Sequence, residues 1–176
     1  MRKYKFLPAI AAITATLLSA QQPAPAPAAG GGRGPAAQPA KDYMSAADVA
    51  ALIAEARAEH KDGQSLQNKR LVSVPPLNAS LEYRTGITGA SVHETDAELM
   101  YVVEGSGTIV TGGKLTEEKR QNPTNLSGTA VEGGTSRHVG KGDFIMISEG
   151  TPHWWSSVDG TVVLMTLHIP HTTEKK

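Results

Sequence analysis

The 176-residue chain has no cysteine, which excludes a disulfide framework and a lipid-attachment thiol at once. Its fold must stand on a core alone, or on a core plus a metal. Net charge is zero, with 17 basic against 17 acidic residues, and neither half carries a basic stripe with interleaved aromatics. Nucleic acid is therefore excluded as an expected partner. Beyond the first twenty residues no long apolar run occurs, so no membrane span is expected in the body of the chain. Length and a hydrophobic content of 39% suit a single folded domain.

The N-terminal "MRKYKFLPAIAAITATLLSA" runs from Arg2, Lys3 and Lys5 through a short apolar stretch to Ser19 and Ala20. Basic, apolar and small residues in that order predict a secretory signal peptide over 1–20, cleaved after Ala20, and hence an exported, periplasmic or secreted protein. Cleavage removes three basic residues and no acidic one, leaving a net charge near −3. Residues 21–42 are rich in Pro, Ala and Gly and predict a tether that cannot bury enough surface to offset its conformational entropy. Within 43–62, Ser45 followed by Asp48 reads as a capping box. Val49, Leu52, Ile53 and Ala56 then share one face, predicting a helix from Ala46 to about His60 that packs across an open edge or end of a sheet. His60 at its end reads as a solvated residue favoured by the helix dipole.

From about residue 68 to 171 the chain changes to short β-branched segments punctuated by Gly, Pro and Asn: "RLVSV", "ASLEYRTG", "ELMYVVEG", "GTIVTGG", "DFIMIS", "HWWSSV" and "GTVVLMTLHI". Such a succession predicts an all-β sandwich or barrel. The polar segment 113–141 reads as a long loop, a lid or a solvated excursion, with room for one extra strand at "SGTAV". Arg137 and His138 near its end could reach over a pocket mouth, although a solvated position explains them as well.

The residues that invite chemistry lie in "SVHETDAELMYVVEGSG" (91–107), where His93 and several carboxylates precede an apolar run, and in "GKGDFIMISEGTPHWW" (140–155). Alone, such a His or Glu also fits an ordinary polar strand end. Together the two stretches resemble the paired motifs of the cupin superfamily, and the resemblance covers roughly residues 70–170. It implies a cupin-type double-stranded β-helix, or jelly-roll barrel, here with an N-terminal α-helix. It also implies one divalent metal (Fe, Mn, Ni or Zn) on His93, Glu98 and His153, and pairing of two copies through a strand edge. The family's first motif has two histidines separated by one residue, and Ser91 stands where the first is expected. Water held by Ser91, or the Asp96 carboxylate, could fill that place, while Glu94 by strand parity points away from His93.

Trp154 and Trp155 should face opposite ways, with Trp155 lining the pocket. His168, also placed at the pocket, reads either as an acid/base group or as core filling with its nitrogens satisfied, and the second is the simpler. A cupin of this kind would act on, or bind, a small oxygen-rich molecule at its metal. The alternative is a non-catalytic binding or sensing module with a degenerate metal site.

Overall fold

Ser45 opens the first regular element of the computed structural model, which describes residues 40–171, all within one unit spanning Gln38–Lys176. The leader 1–20, and the tether up to residue 39, lie outside the described residues. Helix α1 (Ala46–Glu59) begins with the capping box: Asp48 N–H donates to Ser45 Oγ and Ser45 N–H to Asp48 Oδ2, each at 3.1 Å. Two otherwise orphaned donors are thereby satisfied.

The strands are β1 (Leu66–Val74), β2 (Leu77–Arg84), β3 (Ala90–His93), β4 (Asp96–Thr111), β5 (Lys114–Leu115), β6 (Lys119–Asn122), β7 (Asn125–Gly128), β8 (Val131–Glu132), β9 (Thr135–Gly140), β10 (Phe144–Ile147) and β11 (His153–Pro170). All pairings are antiparallel. β4 and β11 are long enough to serve two layers. In one layer the order is β1-β2-β11-β4-β10, using residues 162–170 of β11 and the first half of β4. In the other it is β9-β4-β11-β3-β7-β6, using residues 153–158 of β11 and the second half of β4. The result is the all-β jelly roll that the cupin resemblance implies.

In sequence each of these long strands looks like two, separated at a glycine. Gly105 and Gly160 bend the ladder rather than end it, and the register of β11 on β4 shifts between Val158 and Val162. Gly105 has φ +77°, and a Cβ there would lie 1.9 Å from the Thr161 carbonyl oxygen. Only glycine fits this bend.

Between the layers lies an apolar core that includes Met100, Val102, Ile109, Val139, Ile145, Trp155, Val162 and Leu164. A second cluster lies outside it, where Ile53 and Ala56 of α1 pack on Leu71, Ala79, Leu81, Tyr83 and Val163. The helix thus covers a sheet face, not the open edge or end expected. Alternation along β2 explains this, because Ala79, Leu81 and Tyr83 form an apolar row that needs a cover. The β1 edge is met instead by Lys41, whose backbone exchanges hydrogen bonds of 2.8 and 2.7 Å with Ser73. His60 is half-buried rather than solvated, with its ring 5.8 Å from that of Tyr83 and Nε2 3.4 Å from Thr85 Oγ1.

Segment 113–141 is not a loop but carries β5 to β9, and the pairing of β3 with β7 and of β7 with β6 widens the second layer. Among the described residues no helix is long and apolar enough to cross a membrane.

Candidate metal centre

Glu98 lies on the inward row of β4 with Met100 and Val102, and only 3% of its surface is exposed. A carboxylate so buried requires compensation. Three imidazoles converge on it. His153 Nε2 is 3.2 Å and His93 Nε2 3.5 Å from Glu98 Oε2, while His168 Nε2 is 3.9 Å from Oε1. His168 stands directly opposite Glu98 in the β11–β4 ladder. Its ring meets His93 edge-on at 4.4 Å, and the His93 and His153 rings are 5.2 Å apart.

The far nitrogens of two rings are committed. His93 Nδ1 lies 2.6 Å from Asn125 Oδ1, and the Asn125 amide nitrogen donates in turn to Asn122 Oδ1 at 3.0 Å. That second bond orients the amide so that its oxygen faces His93, and Nδ1 must carry the proton. His153 Nδ1 lies 3.1 Å from the Thr151 carbonyl, which can only accept. In both neutral rings Nε2 therefore presents a lone pair to Glu98. Lone pairs facing a carboxylate are tolerable only with cationic charge among them.

Two kinds of charge meet that need. In the absence of metal, protons serve. Burial acts to lower the His93 pKa, but Glu98 and Asn125 outweigh it and raise it above the ordinary 6.5. For Glu98, burial acts to raise the pKa, but His153 and His93 outweigh it and hold the carboxyl well below its ordinary 4.5. The other solution is a single metal ion. Glu98 Oε2 is buried and no hydrogen bond of acceptable geometry reaches it, which leaves one ligand oxygen unspent. Ligand atoms of His93, Glu98 and His168 lie within 4.8 Å of one another. Atoms bound at about 2.1 Å to a common ion stand about 3.0 Å apart when adjacent and about 4.2 Å apart when opposite, close to the separations found. Nitrogen and carboxylate donors without sulfur suit a borderline divalent ion, so these residues fit one.

The structure gathers His93, Glu98 and His168 within reach of one ion, and places His153 against Glu98 at 3.2 Å but outside that set of three. With a side chain 41% exposed, His168 is not the core filling that the simpler sequence reading expected. Its place beside His93 follows from a β4–β11 register that spans some seventy residues and leaves no local signal. Ser91 faces the same cavity and is paired with His153 across the β3–β11 bridge. Asp96 falls outside the cluster, at the β4 start opposite Pro170, where it accepts from Thr95 Oγ1 at 3.3 Å. Glu94 points away and is held by Arg120 at 2.7 and 3.1 Å. His138 pairs with Asp159 at 2.8 Å and Arg137 donates to Thr111, so neither reaches the cavity.

The cavity beside the cluster measures about 360 Å³ and is lined also by Trp155, Ser127, Glu82 and Arg84. Asn125, Glu82 and Arg84 belong to the surroundings of the cluster without a metal-site motif to mark them. In "ASLEYRTG" the polar alternate positions look solvent-facing, but α1 covers the apolar row and the polar row faces the cavity.

No protein-family model and no curated protein matches the sequence. Among solved structures, the chain is similar to iron(II) HppE in complex with substrate, at 14% identity and TM-score 0.46 over 62% of this chain and 53% of that one. KdgF from Halomonas sp. matches at 17% identity and TM-score 0.46, over 64% of this chain and 87% of that one. The cupin domain of Cnp3 from Schizosaccharomyces pombe matches at 11% identity and TM-score 0.43, over 61% and 63%. The chain spans about half the length of the HppE structure. At these identities and TM-scores the likeness carries no argument about the chemistry or the family. The chain has an all-β jelly roll with a histidine–glutamate cluster in its cavity, and its chemistry rests on its own residues.

Proposed function

We propose that this protein is an exported cupin that holds one divalent metal on Glu98, His93, His153 and His168 and acts on, or binds, a small oxygen-rich molecule beside it. The observation that carries this reading is the unspent, buried Glu98 Oε2, faced by imidazole nitrogens whose far sides are already committed. His168 takes the part that the resemblance gives to a histidine at the place of Ser91. Export rests on the leader 1–20 alone.

When bound, the metal would polarise an oxygen of the ligand as a Lewis acid. The chain's own residues supply the rest. Asn125 and the Thr151 carbonyl fix the tautomers and orientations of His93 and His153. Met100 and Trp155 on the cavity wall keep bulk water from one side. The Ser91 and Ser127 hydroxyls face the cavity and can donate to or accept from ligand oxygens.

Elemental analysis of protein purified without chelator, and after reconstitution with Fe(II), Mn(II), Ni(II) and Zn(II), tests the reading. One ion per chain is expected in the parent, and less than a tenth of that in Glu98→Gln and His93→Ala. Parent protein that stays metal-free with all four ions would refute it.

A further inference from the structure

Arg84 has no part in the cluster, yet it is 8% exposed and lines the same cavity. Burying a guanidinium costs free energy unless its donors are used. Its Nε and Nη2 both lie 2.7 Å from a single Glu82 oxygen, Oε2, and Nη1 donates to Thr88 Oγ1 at 3.1 Å. Of its five N–H groups, two are left without a partner among the described residues.

Trp155 adds a second idle donor. Its indole N–H is buried and has no hydrogen-bond partner among the described residues. The Arg84 guanidinium carbon lies 5.9 Å from the indole centroid. Gly107 packs against the Cε3–Cζ3 edge of the indole, where its absent Cβ would lie 3.2 Å away, so the N–H belongs to the opposite edge. Arg84 and Trp155, whose polar groups can only donate, thus line the same cavity as Glu98 and the imidazoles.

Charge points the same way. Arg84 and Glu82 neutralise each other, and Glu98 offsets half the charge of a divalent ion bound by neutral imidazoles. The loaded cavity then carries one net positive charge in a poorly solvated space, which a single anionic group on the ligand would balance.

We infer that the ligand is a small hydroxylated monocarboxylate, its carboxylate received by Arg84 and the Trp155 N–H and a hydroxyl or carbonyl oxygen turned toward the metal. A planar guanidinium matches a carboxylate with two parallel N–H groups. His153 and Trp155 are successive inward residues of β11, about 6.6 Å apart at the rise of a strand, so several bonds separate the two ends of the ligand. Glu82 is a positioning residue that holds the guanidinium plane. This inference deepens the metal-centre reading and rests on it for the ligand's other end.

Calorimetric titration of the metal-loaded protein with gluconate and with glucitol, which carry similar hydroxyl chains with and without the carboxylate, decides it. Gluconate is expected to bind at least tenfold more tightly. The Glu82→Gln/Arg84→Gln double variant removes both charges, isosterically at 82 and with a shorter amide at 84, and should keep one metal per chain and lose the preference. Trp155→Phe should weaken gluconate binding several-fold with metal content unchanged. Equal affinity for the two probes in the parent, or no binding of either, overturns the inference, and this comparison stands whether or not the double variant folds. A preference that survives in a folded double variant overturns it too. Parent protein that takes up no metal, yet prefers gluconate through Arg84, would sink the metal reading and leave the carboxylate site standing.

Discussion

His93 and Asn125 stand opposite each other across the β3–β7 ladder, and the imidazole Nδ1–H donates to the amide oxygen at 2.6 Å. A residue from a polar excursion thereby sets which nitrogen of a proposed ligand is free. Replacing Asn125 by Leu should leave the fold intact and weaken metal affinity by about 10- to 100-fold, the usual effect of removing a hydrogen-bond partner behind a ligand. Competition against a chelator of known affinity measures this. Unchanged affinity would mean that the pair is structural only.

His168 and Ser91 allow a rescue experiment. His168→Ala should cost at least about 100-fold in metal affinity, as loss of a ligand exceeds loss of a supporting contact. Ser91 shares the face of His93 and pairs with His153. Ser91→His in the His168→Ala background should therefore recover a large part of the loss, read by the same competition. If the double variant binds no better than His168→Ala, an imidazole at 91 does not reach the ion.

Stability should depend on pH with opposite signs in the metal-free and loaded forms. His93 has its pKa raised, because Glu98 and Asn125 outweigh burial. Its stabilising contribution is complete below pH 6.5 and is lost as pH rises through the folded value. Glu98 has its pKa depressed, because His153 and His93 outweigh burial, so its contribution is present above pH 4.5 and is lost as pH falls toward the folded value. Metal-free protein should accordingly be most stable between those two ordinary values. Metal binds unprotonated imidazoles, so its added stabilisation grows with pH over the same neutral range. Thermal melts of chelated and loaded protein should diverge as pH rises, and parallel curves would count against imidazole ligation.

Gly105→Ala should destabilise the fold by about 3 kcal/mol, since a left-handed backbone and a close carbonyl are both violated there. Its Cβ would meet the Thr161 oxygen at 1.9 Å. Urea denaturation of the two proteins measures the difference, and a loss below about 1 kcal/mol would mean that the bend relaxes freely.

Much of this architecture was legible locally. Ser45 and Asp48 announced the start of α1 because a capping box is a four-residue signal, and His93, Glu98 and His153 carried motif spacings. What escaped depended on distant partners. His168 has no neighbour in sequence that marks it, and only the β4–β11 register delivers it to Glu98. The strands of 113–141 were hidden because β6 is exposed at every position and β7 is half-buried throughout, so neither alternates. Arg84 and Glu82 were passed over because polar alternation marks a different environment from a non-apolar row, and which environment that is depends on where α1 lies.

The exposed turn near Glu117, in the excursion that joins the end of β4 to β10, separates the chain's contributions to the cluster: His93 and Glu98 precede it, Asn125, His153 and His168 follow it. A protease nick there should leave two fragments clasped by the long β4–β11 ladder, and neither half alone would carry a complete coordination set. Metal uptake would then serve as a reporter of fragment complementation, appearing only when the separated halves are mixed and re-zipped.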